Sequence, residues 1–187
     1  MEPEHLDENV SAAREKMRAQ TGKETGGPTG LCHLVVTSAL GADVDFTVDV
    51  TRDSQIKIES ESGLSPYPVI VDRGVLSFDA ITKLLEQNQV PFEALLITGR
   101  VQNQDAAHMV AVVPDRATGQ YAIVDSLLPE AVERRPDSEQ VANHVNSRFN
   151  TVTESLTYSV VLTQAERDRR LAAPGHKPVM IDRGIHI

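Results

Sequence analysis

The sequence has no tryptophan and only four phenylalanines and three tyrosines among 187 residues, so aliphatic side chains must fill most of its core. It has one cysteine, Cys32. That excludes an intrachain disulfide and a zinc site built from several thiolates, and it fits a reducing compartment. No apolar run reaches the roughly 18–20 residues that cross a bilayer, so no membrane span is expected. Cations are in short supply: 18 Lys and Arg stand against 27 Asp and Glu, a formal net charge of −9. Phosphate backbones are gripped by clustered Lys and Arg, so nucleic acid is not an expected partner. The start, Met1-Glu2-Pro3-Glu4, is acidic where a secretory leader is basic, and the expected location is cytoplasmic.

What is present suffices for a folded domain. A hydrophobic fraction of 40% is ordinary for a soluble protein, and the length suits one domain with short appendages. Leu6, Val10, Ala13 and Met17 recur at helical spacing with charges between them, which predicts an amphipathic helix over 4–19. A Gly-rich stretch, Thr25-Gly26-Gly27-Pro28-Thr29-Gly30, then runs into an apolar segment. Leu31 to Leu40 lacks Gly and Pro and predicts a short buried helix. Val44, Phe46, Val48 and Val50 alternate with Asp43, Asp45, Thr47 and Asp49. This predicts a strand, and with Ile56 and Ile58 a hairpin over 42–59. Residues 62–75, with Pro66 and Pro68, read as irregular. Phe78, Ile81, Leu84 and Leu85 mark a helix capped by Ser77 and ended near Gln89 by Pro91.

Strands are expected over 92–98, 106–113, 121–125 and 156–163. A helix carrying Val141, Val145 and Phe149, capped by Asp137 or Ser138, is expected before the last of these, and a charged helix over 164–171 after it. Residues 172–187 give no pattern. The sum is an α+β fold, with the Cys32 helix packed on a central antiparallel sheet.

Cys32 falls in the first turn of its predicted helix. Unpaired N–H groups and the positive end of the helix dipole favour a thiolate there. The plain alternative is a small buried apolar residue. His108 lies in a strand apolar on both faces, and Asp125 ends the strand that follows. If Val113 faces Gln120 across the connecting turn, His108 faces Asp125, with Cβ atoms about 4.5–5.5 Å apart. A carboxylate there would hold the imidazole in one tautomer, the task of the third member of a Cys-His-Asp site. Taken singly, His108 reads as a core histidine and Asp125 as a strand-end turn residue.

The other histidines are less suited. His33 adjoins Cys32 and points about 100° away from it on a helix. His144 lies on an amphipathic helix, and His5, His176 and His186 lie in terminal segments. Asp115 is the rival carboxylate, better explained by turn chemistry. Gln20 is the nearest upstream side-chain amide for an oxyanion hole beside the Cys32 backbone N–H. No metal ligand set and no cofactor motif is read.

The order Cys, His, Asp resembles papain-like peptidases, and the details resemble the Josephin family of ubiquitin-specific cysteine proteases. Gly30-Leu31-Cys32 is similar to that family's small-Leu-Cys start of the nucleophile helix. Gly74-Val75-Leu76-Ser77-Phe78-Asp79-Ala80-Ile81 is similar to its Gly-x-x-Ser-x-x-x-Ile helix start. His108 with Ile123-Val124-Asp125-Ser126-Leu127-Leu128 resembles its His strand and Asn/Asp-Ser-Leu strand end, and Tyr158-Ser159-Val160-Val161-Leu162 resembles its closing strand. Two features depart from the pattern. The family's Gln about five residues before the nucleophile is Gly27 here, and its helical arm is replaced by a stretch that reads as β.

The resemblance implies a papain-like fold divided as an N-terminal helix (1–22), a Josephin-like catalytic domain (23–165) and a tail (166–187). It implies a deubiquitinase-like thiol protease with Cys32, His108 and Asp125 as its triad. Its partner would be ubiquitin or a ubiquitin-like protein, met in the host cytosol if the chain is a translocated bacterial effector. Two alternatives stay open. One is an acidic α/β binding module without catalysis, such as a secretion chaperone, an immunity-type partner or an inactive protease relative. The other is an acyl transferase using the same triad.

Overall fold

The computed structural model describes residues 3–22, 31–48, 67–71, 78–87, 89–104, 106–150, 156–172, 179–181 and 185–186. A 3-10 turn, Pro3–His5, leads into helix α1, Leu6–Thr21. Leu6, Val10, Ala13 and Met17 are its buried stripe, as their spacing predicts. Gly22 ends the helix at φ 68°, its N–H donating to the Arg18 carbonyl, a left-handed cap that glycine adopts without a Cβ penalty. Helix α2 spans Leu31–Ala39. Asn9 of α1 donates to the Ala39 carbonyl at 3.0 Å, satisfying one of the acceptors that a helix end leaves open.

Chain order continues with β1 (Tyr67–Val71), α3 (Phe78–Gln87), β2 (Phe92–Arg100), β3 (Ala107–Asp115), β4 (Gln120–Val124) and β5 (Val132–Arg135). It closes with α4 (Ser138–Arg148), β6 (Thr157–Leu162), α5 (Gln164–Ala172), β7 (Val179–Ile181) and β8 (Ile185–His186). The described strands form one sheet in the order β5-β4-β3-β2-β6-β1-β7-β8. Every pairing is antiparallel except that of β1 with β7. The fold is mixed α+β, with an N-terminal pair of helices on a largely antiparallel sheet.

The central strands are apolar on both faces because both are covered. One face meets α1 and α2. Ala94, Leu96, Met109, Ala111, Val113, Ala122 and Val124 pack there with Leu34, Val35 and Val36 of α2 and the α1 stripe. The small side chains of Ala94, Ala111 and Ala122 let the helices lie close to the strands. The other face meets α3 and α4, where Leu95, Ile97, Val110, Val112 and Ile123 pack with Phe78, Ile81, Leu85, Val141, Val145 and Phe149.

Several expectations change. Residues 42–48 form no strand, although Ala42, Val44 and Phe46 are buried and Asp43, Asp45 and Thr47 are exposed. The alternation reports a segment lying with one side against the core, and such a segment needs no pairing partner. The rest of the expected hairpin lies outside the described residues, as does the Ser77 cap. Tyr67–Val71 is a strand despite Pro68; its pairing with β7 starts at Val69, beyond the residue that lacks an N–H. The sequence reading also missed the short charged strand Val132–Arg135.

Candidate active site

Cys32 is the second residue of α2, partly buried against the helical face of the core. His108 is the second residue of β3, and Asp125 follows the last residue of β4. β3 and β4 pair with Val113 opposite Ala122 and Asp115 opposite Gln120, two residues away from the expected register. The turn is tighter than residues 114–120 suggested. Asp115 Oδ1 accepts from the N–H groups of Ala117 and Thr118, and Gly119, at φ 73°, donates to the Asp115 carbonyl. A two-residue shift leaves every side chain on its face, because the strand period is two. Asp125 therefore reaches His108 diagonally, Oδ1 to Nε2 at 2.7 Å.

Around this contact the chain builds a closed cage. Oδ1 of Asp125 also accepts from the Leu127 N–H at 3.0 Å. Oδ2 accepts from Arg148 Nε at 2.7 Å and lies 2.9 Å from His144 Nε2. Asp125 is wholly buried, while His108 and His144 are 4% and 5% exposed. The backbone of Asp125 is fixed by its own N–H to the Ala131 carbonyl and by the Leu128 N–H to its carbonyl. Arg14 of α1 donates to the carbonyls of Leu128 and Pro129 in the same loop.

His144 and Arg148 stand one helical turn apart on α4. Asp137 caps that helix by accepting from the Gln140 N–H at 2.9 Å. Its far end is stitched to β2, with Gln102 N–H on the Arg148 carbonyl and Asn150 N–H on the Arg100 carbonyl. The Phe149 ring lies 6.1 Å from the His108 ring.

The sulfur comes from the layer on one face of the sheet, and the ring and carboxylate from the other. They meet at the start of β3, where β4 has already ended. Cys32 and His108 share a hydrogen bond. With Nε2 held by Asp125, Nδ1 is the ring nitrogen left to the sulfur.

Burial pushes the Cys32 thiol up, but the hydrogen bond and charge of His108, with the backbone N–H groups of Met109 and His33, outweigh it and bring the thiol below its ordinary value. Burial pushes His108 down, yet the hydrogen bonds and charges of Asp125 and Cys32 outweigh it and raise the imidazole to about 9. Burial would raise Asp125 too, but His108, His144 and Arg148 hold its carboxyl far below the usual carboxylate range. Both shifts favour the charged forms, thiolate and imidazolium, with a buried anion behind the ring.

The structure thus brings Cys32, His108 and Asp125 together. Gln20 has another engagement: its Oε1 accepts from the Phe46 N–H at 2.8 Å, tying the end of α1 to the loop after α2. That contact fixes the amide through its oxygen, and among the described residues no contact ties Gln20 to Cys32. His33 is buried, and its backbone N–H, not its ring, bears on the sulfur. Among the described residues, no group of three or more His, Cys, Asp or Glu side chains is placed to hold a metal ion. No described helix is long and apolar enough to cross a membrane.

His144 and Arg148 were missed as site residues. Their signal was in the sequence, since positions 141, 144 and 145 form one buried helical stripe, with half-buried Arg148 a turn further on. A histidine on such a stripe needs a hydrogen-bond partner, and an arginine at its edge needs an anion.

Neither the known protein families nor the curated protein sequences give a match to this chain.

Proposed function

We propose that the protein is a cysteine-type peptidase of papain-like fold, deubiquitinase-like in its substrate, with Cys32 as nucleophile, His108 as general acid and base, and Asp125 as orienting anion. The observation that carries this is the linked pair of contacts on His108: a hydrogen bond to the Cys32 sulfur on one side and 2.7 Å from Nε2 to Asp125 on the other. A buried histidine satisfied by a carboxylate alone would leave the thiol unperturbed. Here both partners shift toward their charged forms.

The reaction follows from these placements. The thiolate attacks the scissile carbonyl carbon, and the carbonyl electron pair moves to oxygen. The Cys32 backbone N–H, in the first turn of α2, is the donor nearest that oxyanion. His108 gives its Nδ1 proton to the leaving amine as the C–N bond breaks, and a thioester remains on Cys32. The neutral ring then takes a proton from water, whose oxygen attacks the thioester. Carboxylate product leaves and the thiolate–imidazolium pair returns. Asp125 stays ionised throughout and steadies the imidazolium.

The substrate class rests on the Josephin resemblance of the segments around Cys32, Phe78, His108, Asp125 and Tyr158. A ubiquitin probe with a C-terminal electrophile is expected to label Cys32, and His108→Ala to abolish labelling. Absence of labelling by ubiquitin and by ubiquitin-like probes, from a protein whose Cys32 reacts readily with a small alkylating agent, would remove the substrate while leaving the peptidase.

A further inference from the structure

The carboxylate of Asp125 uses both oxygens twice. Oδ1 faces His108 Nε2 and the Leu127 N–H; Oδ2 faces Arg148 Nε and His144 Nε2. Two of these four neighbours are donors with no alternative. A backbone amide cannot accept, and neither can a guanidinium. A histidine can, since a neutral ring offers one nitrogen as acceptor. The four contacts are therefore unequal in what they tolerate.

Consider the isosteric amide at position 125. The Leu127 N–H obliges the amide oxygen to sit where Oδ1 sits. The amide NH2 then falls at the Oδ2 position. His144 can turn its tautomer and accept from it, but Arg148 cannot, and Nε–H meets N–H at a part-buried contact 2.7 Å long. Flipping the amide sets its NH2 against Leu127 instead.

We infer that Arg148 is a positioning residue that reserves position 125 for a carboxylate: by donating to Oδ2 it locks the acid's rotation, keeps Oδ1 on His108, and forbids asparagine as the orienting group. The inference deepens the proteolytic reading and rests on it for its readout through Cys32. Charged or titratable groups reach the His108 ring from three sides: Cys32 on α2, Asp125 after β4, and His144 and Arg148 of α4 through Asp125. A guanidinium offers donors only, so the lock does not depend on a tautomer.

The test compares Asp125→Asn with the double variant Asp125→Asn/Arg148→Met, in which the aliphatic stem remains and the donor is gone. The probe is iodoacetamide at pH 7, with the Cys32 alkylation rate as readout; His108 is titrated in parallel by NMR. Asp125→Asn is expected to slow alkylation at least about tenfold, the effect of losing one charge-assisted hydrogen bond. The double variant is expected to regain at least about threefold over the single one, with His108 titrating higher than in the single variant. A merely structural role for Arg148 makes the double variant the worse of the two.

Equal or slower alkylation in the double variant, with no rise in the His108 titration, overturns the inference, as does Asp125→Asn reacting at the wild-type rate. If wild-type Cys32 reacts no faster than an ordinary thiol, the peptidase reading falls, and the His108 titrations of the two variants decide the inference alone. For variants too unstable for kinetics, the melting temperatures carry the same order: the double variant above the single supports the lock, and the reverse overturns it.

Discussion

Cys32 and His108 shift each other's titration through their hydrogen bond and charge. The thiol titrates below its ordinary value and the imidazole near 9. On the proteolytic reading, kcat/KM rises with pH through the lowered thiol step, because the sulfur must lose its proton. It falls near pH 9, because His108 must keep the proton it gives to the leaving amine. Those steps belong to the pair rather than to either residue. A pH–rate profile on a ubiquitin-derived substrate checks this; an alkaline limb at the ordinary histidine value of 6.5 contradicts it.

Cys32, His108 and Asp125 were legible as a cluster because each sits at a landmark: a helix start, a strand start and a strand end. His144 and Arg148 were not, because a helix face states its period but not which strand end it will cover. Gln20 was chosen by proximity in sequence alone, and the contact its amide oxygen makes, with the Phe46 N–H, was not legible there.

At the scale of elements, the site depends on α4 being placed to within a hydrogen bond. Asp137 is its cap, and Asp137→Ala is expected to cost about 0.5–2 kcal/mol in urea unfolding. Gly99, paired with His108 across β2 and β3, makes room from the other side. A Cβ there would stand 2.5 Å from Leu156 Cδ2 and 3.1 Å from Phe149 Cδ1, and Phe149 is the ring beside His108. Gly99→Ala is expected to destabilise by about 1–3 kcal/mol through overpacking and to slow Cys32 alkylation as Phe149 shifts; unchanged stability and rate would place no constraint on that contact.

Helices α1, α3 and α4 were readable from their periods, since each buries one stripe, and α2 from an apolar run without Gly or Pro that is buried almost all round. Strands were readable where long and apolar, as in β2 and β3. β5 was not, because Val132-Glu133-Arg134-Arg135 is short and charged, and β1 was not, because prolines disguise a strand whose outer pairing begins after them. The segment 42–48 shows the converse: a two-residue period fixes which side is buried and leaves pairing undetermined.

For the molecule as a whole, α1 is a wall of the core rather than an appendage. Leu6 is fully buried, Arg14 holds the loop that follows Asp125, and Arg134 pairs with Asp7 at 2.8 Å. Leu6→Ala is expected to cost about 2–5 kcal/mol, as a core truncation does; under about 1 kcal/mol would make the helix peripheral.

Stability should also carry the signature of the ion pair. The raised His108 value means that its contribution is fully present below the unfolded value of about 6.5 and is lost as pH rises through about 9. The lowered Cys32 value acts in the opposite sense. Its contribution is present at high pH and is lost as pH falls through the folded thiol step. Cys32→Ser removes the second effect and part of the first, since Cys32 also raises His108; with Asp125 still in place its urea midpoint is expected to fall with pH above 6.5 more steeply than that of the wild type. A flat midpoint in that variant would show that His108 gains nothing from Asp125. The sheet order, with β6 between β2 and β1, lay beyond the sequence, because strand adjacency is decided by packing among distant segments.

The most direct measurement is the rate of Cys32 alkylation by iodoacetamide as a function of pH, in the wild type and in His108→Ala. A paired thiolate predicts fast reaction below the ordinary thiol value of 9.0, with the step moving up toward that value once the imidazole is removed. A single step near 9, the same in both proteins, would contradict the pairing of sulfur and ring on which the account depends.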